Sequence, residues 1–213
     1  MSKPYRYRRR YMSQTVDFIF DFASPNAYLV HKIVPEIEAR TGAKFNYIPC
    51  LLGGIFKSTN NQAPMIAFGG IPNKMAYENL EMQRFIERHK LVKFKMNPHF
   101  PVNTLMLARG AIAAERAGFL PKYIDAMTAA LWEQGLKLDD PEVLHKAYAD
   151  AGFEADALMA QMGEPEVKAQ LAVNTEQAVS RGAFGIPTFF VGDEIFFGKE
   201  RLDQVEEALG KQA

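Results

Sequence analysis

The sequence predicts an α/β fold in which a β-α-β unit near the N-terminus and a β-β-α unit at the C-terminus are separated by an all-helical insertion. Two observations support this order. Short runs of alternating or aromatic-rich residues, typical of strands, occur only towards the two ends of the 213-residue chain. Between them, apolar residues recur at helical spacing. The length suits one sizeable core, or one domain with a second domain inserted in it.

The first strand and helix lie in the stretch Asp17-Phe-Ile-Phe-Asp-Phe-Ala-Ser-Pro-Asn-Ala-Tyr-Leu29. Phenylalanine at every second position predicts a strand. Ser24-Pro25 predicts a helix start, because serine is a preferred N-cap and proline is favoured at the first helical position. A helix N-terminus presents free N–H groups and a partial positive charge, so an anion can bind there. Ser24 is therefore either a helix cap only or a residue that faces a bound substrate anion.

The elements that follow complete the β-α-β unit. The helix is expected over residues 25–40, with Pro35 inside it as a kink or interruption and Gly42 at its C′ position. Residues 44–49 alternate as a second strand, parallel to the first. Residues 50–72 combine paired glycines with a polar run and predict a long loop, which in a compact protein is usually functional or a lid.

Helical spacing dominates the middle of the chain, after which strands return. Methionine and aromatic residues of the helices are expected to fill the core. A hairpin across Gly192-Asp193 is predicted to join the last two strands. The predicted helices cover residues 73–90, 103–117, 120–134, 141–151, 154–161, 165–181 and 200–209; an extended segment covers 92–103; and the last strands cover 188–191 and 194–197.

This order of elements resembles a thioredoxin-like domain split by an all-helical insertion. We expect residues 13–62 and 182–213 to form the thioredoxin-like domain and residues 63–181 to form the inserted helical domain. Gly185-Ile-Pro-Thr-Phe-Phe-Val191, which leads into the third strand, resembles the cis-proline loop of that fold. The resemblance implies a cis peptide at Pro187.

Composition excludes several classes of function. Basic and acidic residues both number 25, so overall charge does not favour nucleic acid as a partner. No apolar run approaches the roughly 20 residues that span a bilayer, so no membrane partner is expected. Cys50 is the single cysteine, which excludes an intramolecular disulfide and a cysteine-based metal cluster. The four histidines lack ligand spacing, so we expect surface or capping roles and no metal site.

Residues 1–12 are basic and aromatic. They lack an apolar h-region, so an ordinary secretory signal is not expected. We predict a disordered extension, with Met12 as a candidate natural initiator; a transit peptide and a nucleic-acid arm are the alternative interpretations. The expected location is the cytoplasm, of a bacterial cell, with the mitochondrial matrix as the second choice.

Five motifs carry a closer resemblance. They are Phe20-Asp-Phe-Ala-Ser-Pro-Asn-Ala-Tyr-Leu29, Gly54-Ile-Phe-Lys57, Phe100-Pro-Val-Asn103, Gly182-Ala-Phe-Gly-Ile-Pro-Thr188 and Phe197-Gly-Lys-Glu-Arg-Leu202. Together they resemble the kappa-class glutathione transferase family, which includes the bacterial 2-hydroxychromene-2-carboxylate isomerases and is related to disulfide oxidoreductases. The resemblance covers the chain from Met12 onward. It implies an enzyme that uses glutathione, acts on a small aromatic or electrophilic substrate and forms a homodimer.

The resemblance implies a catalytic role for Ser24. Ordinary thioredoxins place Cys-x-x-Cys where this chain has Ser24-Pro-Asn-Ala27, so dithiol–disulfide exchange cannot run here. Ser24 would instead donate a hydrogen bond to the glutathione thiolate, whose formation a helix N-terminus also favours. Beside Pro187, the backbone of Ile186 would pair with the cysteinyl part of glutathione.

Four further residues are implied to bind glutathione. Asn61 resembles the asparagine at the glycyl end and Lys74 the lysine of the same pocket; a loop asparagine and a solvated helix lysine are the plain alternatives. Lys199 and Glu200 stand where the family commonly has a small polar residue and an aspartate that hold the γ-glutamyl ammonium. Glu200 can supply that carboxylate, or it can cap the last helix.

The favoured activity is a glutathione-dependent isomerase of the 2-hydroxychromene-2-carboxylate type, in which the thiolate is a reversible nucleophile. Phe100, Pro101 and Asn103 would help to form a wall around the second substrate. The alternatives are a general kappa-like glutathione transferase or peroxidase, and a non-catalytic thioredoxin-like binding protein.

Overall fold

The computed structural model describes residues 15–211. The predicted extension over residues 1–12 and the candidate start at Met12 lie outside the described residues. The described chain forms a four-stranded sheet of order β2-β1-β3-β4. Strand β1 runs parallel to β2 and antiparallel to β3, and β4 is antiparallel to β3. The strands are β1 (Thr15–Phe20), β2 (Lys44–Pro49), β3 (Thr188–Val191) and β4 (Glu194–Phe197).

The helices confirm the predicted order β-α-β, helical block, β-β-α. A 3₁₀ turn, Lys199–Arg201, precedes the last helix. The helices are α1 (Pro25–Thr41), α2 (Leu52–Thr59), α3 (Pro64–Ala67), α4 (Pro72–Arg88), α5 (Leu105–Arg116), α6 (Leu120–Trp132), α7 (Pro141–Asp150), α8 (Ala155–Gln161), α9 (Pro165–Ser180) and α10 (Leu202–Lys211). The predicted division at residues 62 and 182 into two domains stays a prediction.

Strand β1 lies at the centre of the sheet and of the core. Phe18 and Phe20 on one side of the strand are buried, and so is Ile19 on the other. Successive side chains of a strand point to opposite faces, so both faces of the sheet are covered here. The end of β1 therefore leads into a turn in which Asp21, Phe22 and Ser24 are buried and Ala23 is half-buried, before α1 begins.

The long loop predicted over residues 50–72 is wrong, because α2 and α3 lie within it. The backbone N–H of Leu52, at the first position of α2, donates to the carboxylate of Asp21. Asn60, in the left-handed conformation at φ 53°, ends the helix. A side chain at Gly54 would begin 3.1 Å from a methyl carbon of Thr175 in α9, so the glycine lets α2 approach α9 closely.

The interruption expected at Pro35 is wrong as well. Helix α1 continues through this residue, whose ring is exposed, while Ile33, Val34 and Ile37 around it are buried. Burial of such side chains, each worth roughly 1.5–3 kcal/mol, offsets the hydrogen bond that a proline removes. Gly42 ends α1 as predicted, with φ 75° and its N–H donating to the Glu38 carbonyl.

His31 does not have the surface or capping role expected of it. It is 8% exposed, and its ring nitrogens contact the Tyr47 hydroxyl at 2.8 Å and the Asp125 carboxylate at 2.9 Å. The hydrogen bond from His31 lowers the pKa of Asp125 to about 2. The buried His31 ring thus joins α1 to the half-buried Tyr47 of β2 and to the exposed Asp125 of α6.

Neither a metal centre nor a membrane span is visible in the described part of the chain. Within residues 15–211, His, Cys, Asp and Glu form no group of three that could hold a metal ion. None of the helices in that range is long and apolar enough to cross a membrane.

Candidate active site

Ser24 lies at the start of α1 and contacts the loop that precedes β3. It is the helix N-cap, 4% exposed, and its Oγ accepts the Ala27 N–H at 3.2 Å. The same hydroxyl donates to the carbonyl oxygen of Ile186 at 3.0 Å. The Ile186–Pro187 peptide is cis, which confirms that prediction. Two motifs 162 residues apart in sequence therefore meet at one hydroxyl group.

The loop over residues 182–187 is held in place from several sides. The side-chain amide of Asn61 donates to the Phe184 carbonyl at 2.8 Å. The Gly198 N–H donates to the Pro187 carbonyl at 2.9 Å. At Gly185 a side chain would begin 2.7 Å from the Phe197 ring, so only glycine fits without a shift of that ring. The structure thus brings Asn61, Ile186 and Ser24 together through one ordered loop.

The side chains of Lys74, Lys199 and Glu200 form their ion pairs away from this loop, although Lys199 directly follows Gly198 in sequence. Lys74 pairs with Glu78 at 3.5 Å and lies 4.4 Å from the centre of the Phe68 ring. Lys199 is 3% exposed and forms an ion pair with Glu200. Lys199 and Glu200 line a cavity of about 350 Å³ between α1, α4 and the start of α10. A ligand ammonium at Glu200 would have to share its carboxylate with Lys199.

Phe100 is linked to the Ser24 turn through Trp132. The two rings lie 5.9 Å apart, and the indole N–H of Trp132 donates to the Phe22 carbonyl at 3.0 Å. Pro101 follows Phe100 in a cis peptide and is exposed. The side chain of Asn103 accepts the Leu105 N–H at 3.0 Å at the start of α5.

Asp21 is the site residue that sequence reasoning missed. It is 1% exposed, and its carboxylate accepts hydrogen bonds from the Ala23 N–H at 3.1 Å, the Leu52 N–H at 2.7 Å and the Thr104 hydroxyl at 2.6 Å. Burial raises its pKa to about 6, although these donors act in the opposite direction. The sequence signal that could have identified Asp21 is its position between two phenylalanines, directly before a helix start, which indicates a buried carboxylate near the site.

Cys50 lies close to this carboxylate and is fully buried. Burial raises the pKa of its thiol to about 12, and the charge of Asp21 adds to the effect. The thiol is therefore protonated at neutral pH and is a poor nucleophile.

A family model describes nearly the whole of this fold and both sides of the Ser24–Ile186 contact. The model of the DSBA-like thioredoxin domain matches residues 15–210. The chain belongs to the DSBA-like thioredoxin domain family. Membership confirms the predicted thioredoxin-like fold and its relation to disulfide oxidoreductases. This DSBA-like chain has Ser24 and Ala27 at the positions where Cys-x-x-Cys was expected for a thioredoxin.

Relatives of this DSBA-like chain confirm the predicted resemblance to the kappa-class group. It is 28% identical over 206 residues to the 2-hydroxychromene-2-carboxylate isomerase of Sphingobium xenophagum, covering 93% of this chain and 99% of that protein. It is 26% identical over 219 residues to human glutathione S-transferase kappa 1, covering 94% of this chain and 93% of that protein. Both relatives are named as enzymes, which confirms the prediction of an enzyme at the level of the family.

Solved structures confirm the fold. A 2-hydroxychromene-2-carboxylate isomerase structure matches with a TM-score of 0.80 at 23% identity, over 93% of this chain and 95% of that chain. The DsbA of Pseudomonas aeruginosa matches with a TM-score of 0.57 at 18% identity, over 100% of this chain and 90% of that chain. The DSBA-like architecture is thus shared with both, including the helices between the two sheet-forming parts.

Proposed function

We propose that the chain is a glutathione-dependent isomerase of the 2-hydroxychromene-2-carboxylate type, in which Ser24 holds the glutathione thiolate. The observation that carries the proposal is the hydrogen bond from Ser24 to the Ile186 carbonyl, at a helix start beside the cis Pro187. The relatives at 28% and 26% identity support it. A kappa-like transferase or peroxidase, and a non-catalytic thioredoxin-like binding protein, are the competing functions.

The hydroxyl of Ser24 suits the role of a donor to an anion. Both partners of its Oγ are backbone groups, the Ala27 N–H and the Ile186 carbonyl, so no side-chain base activates it as a nucleophile. A ligand amide N–H that pairs with the Ile186 carbonyl would replace Ser24 there and leave the hydroxyl free to donate elsewhere. The N-terminus of α1 favours a negative charge at the same place.

The donor and acceptor groups fit the cysteinyl part of glutathione. Glutathione, when bound, supplies a thiolate that can add reversibly to an electrophilic carbon of the substrate. Asn61 and Lys74 are proposed for its glycyl end, and Glu200 for its γ-glutamyl ammonium. Because Glu200 forms an ion pair with Lys199, its negative charge is partly neutralised, and a ligand ammonium would share the carboxylate with Lys199.

The second substrate is proposed to bind beside Phe100, Pro101 and Asn103. The ring of Phe100 offers an aromatic surface, and its contact with Trp132 fixes it relative to the turn before Ser24. A small aromatic electrophile suits such a surface.

Replacing Ser24 with alanine tests the proposal. The variant loses one charge-assisted hydrogen bond, worth roughly 1.5–3 kcal/mol, so the pKa of the bound thiol should rise by roughly one to two units. Turnover near neutral pH should fall about tenfold to a hundredfold and recover in part at alkaline pH. Glutathione affinity should change less, because Ile186 and Asn61 remain. Titration of the thiolate absorbance of the complex measures the shift.

Asp140→Ala is the matched control. Asp140 caps α7 by accepting the Glu142 and Val143 N–H groups, so its loss costs about 1 kcal/mol of stability, as does loss of any helix cap, without touching Ser24. Equal thiol titration midpoints in wild type and Ser24→Ala would leave Ser24 as a cap only.

A melting temperature unchanged by several millimolar glutathione would reject glutathione binding altogether. Assays with chromene carboxylates and with generic electrophiles separate the isomerase from the transferase.

We also propose a homodimer, with the cytoplasm as its location. Support for the dimer comes from large apolar side chains that are exposed in α3, in α4 and in the turn between them, since exposed apolar surface can mark an interface. Sedimentation that shows only a monomer at micromolar concentration would contradict the proposal. The exposed residues are Met65, Ile66, Phe68, Ile71, Tyr77 and Leu80.

A further inference from the structure

The carboxylate of Asp21 lies where the starts of three helices meet. It accepts the Ala23 N–H directly before the α1 cap. It accepts the Leu52 N–H at the first residue of α2, whose own N-cap residue makes no side-chain cap. It also accepts the hydroxyl of Thr104, which occupies the N-cap position of α5 without capping that helix. One buried side chain therefore holds three helix starts together.

Each of these helix starts carries a different part of the proposed site. Helix α1 begins at Ser24. Helix α2 leads to Asn61, which holds the loop of Ile186. Thr104 follows directly after the segment 100–103, which is proposed to contact the second substrate. A shift at any of the three starts would change the distance between the groups that bind thiolate, glutathione backbone and substrate.

We propose that Asp21 is a positioning residue. Its carboxylate holds Ser24, the loop of Ile186 and the second-substrate segment 100–103 at fixed distances from one another. The inference rests on the function proposed above. Asp21 acts through Ala23, Leu52 and Thr104, because its carboxylate accepts hydrogen bonds from these protein groups.

An ionised carboxylate is required for all three bonds at once. It accepts only, so its two oxygens can serve three donors. Once protonated, one oxygen becomes a donor and must give up or weaken a bond. The titratable side chain that interacts with Asp21 from the surrounding elements is the Cys50 thiol, which is protonated at neutral pH. With a pKa of about 6, Asp21 loses its charge in mildly acidic solution.

Three variants test the inference. Asp21→Asn removes the negative charge from all three bonds and puts an NH₂ donor in place of one acceptor oxygen, so that it faces either the Leu52 N–H or the Ala23 N–H and the Thr104 hydroxyl. Thr104→Val removes only the bond to the second-substrate segment. Thr128→Val is the control, because this buried hydroxyl bonds to backbone carbonyls of its own helix α6. The measurements are glutathione affinity by calorimetry, the KM for 2-hydroxychromene-2-carboxylate, and thermal stability.

We expect Asp21→Asn to weaken glutathione affinity and to raise the KM, each by about tenfold, because small displacements of binding groups have effects of this size or larger. Thr104→Val should raise the KM and leave glutathione affinity within about twofold. Thr128→Val should lower stability and change neither. Wild-type glutathione affinity should weaken as the pH falls through about 6, and Asp21→Asn should lack that step.

The outcomes separate this inference from the proposed function. If wild type does not bind glutathione, both are rejected. If wild type binds and folded Asp21→Asn binds equally well with the same pH dependence, only the positioning role is rejected. Should Asp21→Asn not fold, Thr104→Val decides. An unchanged KM overturns the inference, and so does a rise in KM that is matched by an equal weakening of glutathione affinity.

Discussion

Replacing Asp21 with asparagine is expected to change how stability depends on pH. Folding raises the pKa of this carboxyl from 3.8 to about 6, so between these values the folded state binds more protons than the unfolded state. The free energy of unfolding of the wild type therefore falls as the pH rises through this window. The contribution of Asp21 is complete below pH 3.8 and lost above about 6. Asparagine does not titrate, so the free energy of unfolding of the variant should not fall with pH for this reason.

The size of the effect follows from the shift. About two pKa units at about 1.4 kcal/mol each give roughly 3 kcal/mol in total, of which about 1 kcal/mol falls between about pH 5 and about pH 7. The asparagine NH₂ also faces a donor, either the Leu52 N–H or the Thr104 hydroxyl. That conflict costs about 1–3 kcal/mol at every pH. The change of the stability difference with pH therefore reports on the ionisation of Asp21, whereas its constant part reports on the lost hydrogen bond.

Urea unfolding of wild type and Asp21→Asn over a pH series at constant ionic strength measures this slope. Asp193→Asn, in the exposed turn between β3 and β4, controls for removing one negative charge. The stability of Asp21→Asn relative to wild type should rise by about 1 kcal/mol from about pH 5 to about pH 7. Parallel curves for the two proteins would refute the reasoning, because they would show that folding does not disfavour the ionised form of Asp21.

Two further substitutions test neighbouring features. Cys50→Ala should leave turnover nearly intact, because burial raises the thiol pKa to about 12; a loss of turnover above roughly tenfold, about 1.4 kcal/mol of barrier, would contradict this. Gly42→Ala places a side chain in open space but at φ 75°, so the left-handed conformation alone should cost about 1 kcal/mol in urea unfolding. An unchanged urea midpoint would show that the end of α1 tolerates a side chain there.

The elements that sequence predicted correctly are those that local residues determine. Ser24-Pro25 begins α1, Gly42 ends it, and Gly192-Asp193 joins the last two strands. Helix α2 was missed because its stabilising contacts are distant in sequence. The Leu52 N–H bonds to Asp21, 31 residues away, and the Leu51 N–H bonds to Thr175, 124 residues away. Neither contact can be predicted from the composition of residues 50–72.

The site was predicted in part for the same reason. Local pattern left Ser24 as a cap or an anion site, and only the family resemblance linked it to Ile186. Asp21 was overlooked because alternation along β1 suggested nothing about its partners. Both faces are buried where β1 ends, so Asp21, directly after the strand, is as enclosed as the neighbouring Phe20 and Phe22. Burial from both sides depends on the whole fold and not on the period of one strand.

The Ser24–Ile186 hydrogen bond also bears on which thiols the proposed site would accept. Ser24 has one hydroxyl hydrogen, and in the free protein that hydrogen is donated to the Ile186 carbonyl. A simple thiol without an amide offers no donor to replace Ser24 there, so stabilising its thiolate would leave a buried carbonyl unpaired, at a cost of about 1–3 kcal/mol. A peptide thiol such as glutathione can donate its amide N–H to Ile186 and receive the hydroxyl at its sulfur. On the proposed function, the same hydrogen bond that joins the two motifs therefore couples recognition of the peptide backbone to stabilisation of the thiolate.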